Sequence, residues 1–311
     1  MQIFAGTSGF SYAEWCGRFY PEALPGDRML GFYAGRLPTV EINNTFYRMP
    51  KQETVLAWGA EVPEAFQFAV KASRRITHSR KLADVGDDVA YLFDIVGALG
   101  AKLGPVLFQL PPFLKKDLGL LDSFLAVLPE GRRAALEFRH PSWFSDDVYS
   151  ALAARNVALV GGDLEEAEKS PPLVATADFG YLRLRRLDYD PAGIAEWGER
   201  VAEQSWGAVY AYLKHEILGP LFAESLLAVL TGTAQPDLSA VRASIAAPKP
   251  KSTRGSASKT KSGAPKSAKA ASKSSETPSA RTSKAPKSGA AKGPKPPSKA
   301  PASAAAKPRK A

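Results

Sequence analysis

Glu137 and Arg139 lie two residues apart in ALEFRHPSWF (135–144), so an extended strand sends both side chains off one face, opposite Leu136 and Phe138. A carboxylate beside a guanidinium stays ionised and serves as a base, whereas a carboxyl in an apolar pocket keeps its proton and serves as an acid. The same split into an oily and a polar face recurs along the chain. It sets Glu41 and Asn43 apart in TVEIN, Lys71 in QFAVKA, Gln109 in PVLFQL, Arg183 and Arg185 in GYLRLR, and Lys214, followed by His215, in AVYAYLKH. Glu41, Lys71 and Glu137 are the catalytic candidates. Asn43, Gln109, Arg139, Arg183, Arg185, Lys214 and His215 are the candidates for holding a ligand. With five cations and two carboxylates along strand faces, this set favours an anionic or polyhydroxylic ligand. The structural alternative is that the charges only neutralise one another.

Three chemistries fit such residues. Acid–base catalysis would use Glu41, Glu137 and Lys71, and makes the protein a candidate hydrolase or lyase. Phosphate binding would use Arg183, Arg185, Arg186, Lys214 and His215, with Gly219-Pro220 opening a helix beside them. A divalent metal would draw on His78, His140 and His215 with Glu41, Glu137 and Glu216. No His-x-His, His-x-x-x-His or paired-Asp spacing supports it, so no metal or cofactor is predicted. No Gly-x-Ser-x-Gly elbow is present for a serine hydrolase. Aromatic residues such as Phe10, Tyr12, Trp15, Tyr47, Trp143 and Phe144 follow the first, second and fifth strands. They read mainly as loop packing, with stacking on sugars or bases as the alternative.

Residues this far apart can meet only if the strands carrying them lie side by side. Eight strand-like runs begin near residues 3, 39, 67, 105, 134, 157, 180 and 208. Helical stretches separate them, with a weak one at Leu164–Lys169, and GPLFAESLLAVL follows the last strand. Eight βα units in about 230–250 residues match a (β/α)8 barrel, whose inward side chains gather at the C-terminal mouth. An open doubly wound sheet is the weaker fit, because GTSGFS lacks the G-x-G-x-x-G spacing.

The segments GTSGFSYAEW, VEINNTFYRMP, FAVKASRRITH, LGPVLFQLPP, LEFRHPSW, TADFGYLRLR and YAYLKHE resemble, in order, motifs of the YecE-like family, domain of unknown function 72. The resemblance covers residues 1–231 and implies a TIM-barrel-like fold, but it supplies no reaction. Arg185-Arg186 stands where many members carry His-Gly after the seventh strand, so no role attached to that histidine passes to this chain.

Composition divides the chain. Residues 248–311 hold no Val, Ile, Leu, Met, Phe, Tyr, Trp or Cys, and 17 Lys and Arg face only Glu276, a net charge of +16. The preceding 247 residues carry 24 basic and 30 acidic side chains, a net charge of −6. The expected organisation is a barrel over 1–235, a linker over 236–247 and a disordered basic tail over 248–311. The tail is expected to bind nucleic acid without reading its sequence, and the barrel to bind a small anionic substrate. The competing class is a non-catalytic nucleic-acid-associated protein that uses the barrel as a scaffold. The single Cys16 allows no internal disulfide, and MQIFAGTSGF lacks the charged start and apolar core of a signal peptide. No membrane partner and a cytoplasmic location are therefore expected.

Overall fold

A computed structural model describes residues 1–239 and Arg242 of the 311-residue chain; the expected tail lies outside them. Eight parallel strands close into a barrel in chain order. They are β1 (Gln2–Ser8), β2 (Thr39–Ile42), β3 (Gln67–Lys71), β4 (Leu103–Gln109), β5 (Ala134–Glu137), β6 (Ala158–Asp163), β7 (Phe179–Leu184) and β8 (Ala208–Leu213), with β1 paired to both β2 and β8. Among the described residues seven α-helices lie outside: α1 (Met29–Ala34), α2 (Gln52–Glu61), α3 (Gly86–Val96), α4 (Leu118–Ala126), α5 (Asp146–Ala154), α6 (Pro191–Ala202) and α7 (Gly219–Thr231).

The period-2 alternation sorts side chains into two cores. Val40, Phe68, Val106, Phe108, Leu136, Leu182 and Leu184 join the layer shared with the helices. Ala69, Leu107, Ala135, Val160, Tyr181, Tyr210 and Tyr212 cluster in the barrel interior, so the barrel is packed rather than hollow. Small residues pass the strands close together where the packing demands it. A Cβ on Gly6 would lie 2.0 Å from the Thr39 carbonyl oxygen, and one on Gly162 would lie 2.2 Å from that of Arg183.

Among the described residues no α-helix connects β6 to β7. Between β6 and β7 the chain makes one 3-10 turn, Ala167–Lys169, and then runs extended through Pro171 and Pro172. Two prolines remove the donors that a helix needs. Thr176 instead pins the segment, its Oγ1 donating to the Val157 carbonyl and accepting from Leu159 N, both at 2.8 Å. The consequence is functional: residues of this segment become one wall of the cavity at the mouth. At the other end, the segment expected as a linker contributes Leu238 to the core and Arg242 to an ion pair with Asp188 at 2.6 Å. Among the described residues no helix is long and apolar enough to cross a membrane.

Candidate functional site

Strand register brings the inward polar residues together at the C-terminal mouth. Arg183 of β7 lies across the barrel between two carboxylates, with Nη2 on Glu41 Oε1 and Nη1 on Glu137 Oε2, both at 2.6 Å. All three side chains are buried. Glu41 also accepts from Ser8 Oγ at 2.8 Å, Asn43 Nδ2 at 3.0 Å and Tyr181 Oη at 2.8 Å. Glu137 accepts from Gln109 Nε2 at 2.7 Å, Arg139 Nε at 3.2 Å and Arg185 Nη2 at 3.5 Å. Gln109 turns its Oε1 to Lys71 Nζ at 2.8 Å, which orients the amide and links the lysine to the network. The ammonium also sits 4.5 Å from the centroid of the Phe46 ring.

Burial and charge set the protonation states. Burial alone would raise the Glu41 and Glu137 carboxyls. The Arg183 guanidinium outweighs it at both, helped by Arg183, Asn43 and Ser8 hydrogen bonds at Glu41 and by Arg139 and Gln109 at Glu137, so both lie below the usual carboxylate value. Lys71 moves the other way. Burial, aided by repulsion from Arg183 and opposed by Glu41 and Glu137, depresses it to about 8. A folded lysine that loses its proton earlier than an unfolded one makes stability rise with pH between about 8 and its ordinary 10.5. Urea unfolding of wild type should therefore become harder from pH 8 to about 9.5, below the range where ionising tyrosines intervene. In Lys71→Met this rise should vanish; an unchanged rise would show that Lys71 is not the titrating group.

Beside this network lies a cavity of about 710 Å³, lined by Glu137, Arg139, Arg183 and Arg185, by Phe138, Pro141 and Phe144, and by Leu164, Lys169 and Pro171 of the helix-free connection. Arg183 and Arg185 each retain a buried Nε–H with no acceptor among the described residues. Asp163 shares the lining. Its Oδ1 accepts from Tyr189 Oη and from Arg185 N, and its Oδ2 from Trp197 Nε1 at 2.9 Å, so it fixes the backbone that carries Arg185. Burial raises its pKa despite these donors.

The expected set is thus gathered in part. Asn43, Lys71, Gln109, Arg139, Arg183 and Arg185 meet around Glu41 and Glu137. Glu41 is 0% exposed and takes four side-chain donors, so it anchors Arg183. Arg183 gives both its Nη groups to the two carboxylates. Lys214 and His215 do not line the cavity. Lys214 is exposed with no side-chain partner among the described residues. His215 Nδ1 accepts from Ile217 N at 3.0 Å and Leu218 N at 2.9 Å, which organises the turn into α7. The start of α7 is covered as well, because Trp15 lies against Gly219 and donates Nε1 to the Glu216 carbonyl at 2.8 Å.

The other histidines are also occupied locally, His140 Nδ1 with Ser142 Oγ at 2.8 Å and His78 Nδ1 with Thr77 Oγ1 at 2.9 Å. Among the described residues no group of three His, Cys, Asp or Glu side chains is arranged to hold a metal ion. Of the loop aromatics, Trp15, Phe19, Tyr20, Phe46 and Trp143 are buried packing, while Phe144 lines the cavity and Tyr47 stays exposed. Ser8, Tyr181, Asp163 and Lys169 complete the site without having been expected there. Ser8 and Tyr181 have a legible signal in their inward strand positions; Asp163 follows Gly161 and Gly162, which carry no side chain to continue the alternation.

Fold and mouth together define a (β/α)8-barrel protein whose C-terminal end is closed by a buried ionic network. Residues 4–245 match the family described as "Protein of unknown function DUF72", and the chain belongs to that family. It is similar to the UPF0759 protein YecE of Escherichia coli, at 31% identity over 144 residues, which is 46% of this chain and 50% of YecE. It is also similar to the UPF0759 protein YunF of Bacillus subtilis, at 30% over 159 residues, 47% of this chain and 54% of YunF. The chain thus spans about half the length of the curated relatives it matches. Among solved structures, a DUF72 family protein of Thermotoga maritima superposes with a TM-score of 0.65 at 23% identity, covering 75% of this chain and 99% of that one. One of Enterococcus faecalis gives 0.61 at 20%, covering 74% and 98%. These structural likenesses speak for the fold.

Proposed function

We propose that the barrel is an enzyme that binds a small anionic substrate, phosphorylated or nucleotide-like, in the cavity over β5–β7. The observation that carries this reading is an unbalanced cluster. Lys71, Arg139, Arg183 and Arg185 gather around Glu41 and Glu137, and the adjoining cavity, large enough for a metabolite, is lined by Arg139, Lys169, Arg183 and Arg185 against Glu137, Asp163 and Glu168. Arg183 and the two carboxylates neutralise most of one another's charge, which leaves Arg139 and Arg185, with exposed portions, to face a ligand anion. Glu137 is held ionised, so its roles are base or electrostatic partner rather than acid. Lys71, depressed to about 8 and joined to Glu137 through Gln109, is the group suited to exchanging a proton near neutrality. For residues 248–311, the charge of +16 supports a separate role as a sequence-blind nucleic-acid anchor.

The test is thermal unfolding of the full-length protein with inorganic phosphate, sugar phosphates and nucleoside monophosphates, each against its uncharged counterpart. A ligand at a hundred times its Kd stabilises by about 2.7 kcal/mol, which for a domain of this size raises Tm by roughly 5–10 °C. Arg139→Ala with Arg185→Ala should abolish the shift for the anions. Equal shifts from the uncharged compounds, or none from any phosphate, would remove the anion-site reading.

A further inference from the structure

The cations of the mouth are not confined to the cavity. The loops after β2, β3 and β4 (residues 43–51, 72–85 and 110–117) hold eight Lys and Arg against two acidic residues. The loop after β6 (164–178) holds one Lys against four. The rim is therefore polarised, although the first 247 residues together carry −6. Some of these cations are paired, Arg75 and Arg80 with Asp88 and Lys116 with Asp147. Arg48, Arg74, Lys81 and Lys115 form no ion pair among the described residues and are exposed.

Two large rings stand among them. Tyr47 is 81% exposed and Phe113 is 65% exposed, the two highest values of any aromatic residue on the barrel. The β3 loop joins their neighbourhoods: Lys81 Nζ lies 5.4 Å from the Phe113 ring, and Phe46 meets Tyr47 on one side and His78 on the other, each at 5.0 Å. That loop is held in an uncommon shape. It contains a π-helical turn at Arg75–Ser79, and Lys81, Leu82 and Asp84 have φ of 51°, 71° and 50°. Left-handed backbone at three non-glycine residues persists only where surrounding packing imposes it, and buried Leu82 provides such an anchor. The shape leaves Arg74 and Lys81 pointing away from the core.

Exposed rings interleaved with unpaired cations match one polymer: its charges repeat along a backbone and its flat faces are free. We propose that this rim binds single-stranded nucleic acid, its phosphates on Arg48, Arg74, Lys81 and Lys115 and its bases stacked on Tyr47 and Phe113. An acidic peptide would use the cations but offers the rings no repeating flat partner; an anionic membrane could take both cations and rings, and in that case base-bearing and abasic strands would bind alike. The surface is independent of the cavity arginines and of the basic tail, which has no aromatic residue.

The experiment uses the full-length protein at physiological ionic strength with two probes, a dT20 strand and a fully abasic strand with the same number of phosphates. Tail and lysine contacts treat the two alike, so any preference reports stacking. Wild type should bind the base-bearing strand more tightly, by on the order of tenfold or more. Tyr47→Ala with Phe113→Ala, both at exposed positions, should erase that preference while leaving abasic binding and the melting curve unchanged. Arg48→Glu with Lys115→Glu should weaken both strands together. Equal binding of the two strands by wild type would mean a surface that takes polyanions without bases, and would overturn the proposal. So would a preference that survives loss of both rings.

Discussion

Arg183→Met is expected to destabilise the barrel by at least roughly 3–5 kcal/mol, the cost of leaving a buried charge without its partner. Here two carboxylates lose their counter-charge at once, Glu41 at 0% exposure and Glu137 at 6%. The companion variant discriminates cause from clumsiness: Arg183→Met combined with Glu41→Gln and Glu137→Gln removes the stranded charges and should recover most of the loss. Acid titration gives the same information from the other side. Both carboxyls lie below their ordinary value in the folded state, so their contribution is present above the unfolded pKa and is lost as pH falls through the folded one. The triple variant should lack that part of the acid transition. Equilibrium urea unfolding reads all three proteins. If Arg183→Met stays within about 1 kcal/mol of wild type, the bridge is not what closes the barrel.

This bridge also marks the limit of what the sequence makes legible. Alternation within one strand places Glu41, Lys71, Gln109, Glu137 and Arg183 on an inner face, because a strand has a side-chain period of two whatever its neighbours. It does not state which rung of one strand stands beside which rung of the next. Gln109 meets Glu137 because those residues are paired in register, and Ser8 meets Glu41 for the same reason. Arg183 reaches from β7 to β2 and β5 across the interior, a relation that depends on barrel closure. A list of cations thus overstates the free charge, since mutual neutralisation is a property of distance. His215 is harder to read for a different reason: the partners of its Nδ1 are backbone N–H groups, which carry no residue-type signal. The lack of a helix between β6 and β7 is half legible, in Pro171 and Pro172, but its consequence, a cavity wall, depends on where that segment lies.

Residues 248–311 lie outside the described residues, and their composition leads to one expectation. A net charge of +16 would attract a polyanion, and the lack of aromatic residues would make that contact electrostatic and blind to sequence. Duplex DNA is the right probe, because its bases are stacked inside and offer no free face to Tyr47 or Phe113. If about eight lysines neutralise phosphates together, the logarithm of the affinity should fall with that of salt at a slope near −7. Between 50 and 200 mM salt this is a loss of roughly 10³–10⁵. Deleting residues 248–311 should remove most duplex affinity and flatten the slope, with the barrel's melting curve unchanged. Shuffling the order of the same residues should restore both affinity and slope, since only charge and spacing count. A specific partner for the tail predicts that shuffling is as damaging as deletion. The decisive comparison is at physiological ionic strength: full-length and truncated proteins binding duplex DNA equally weakly would end the anchor reading.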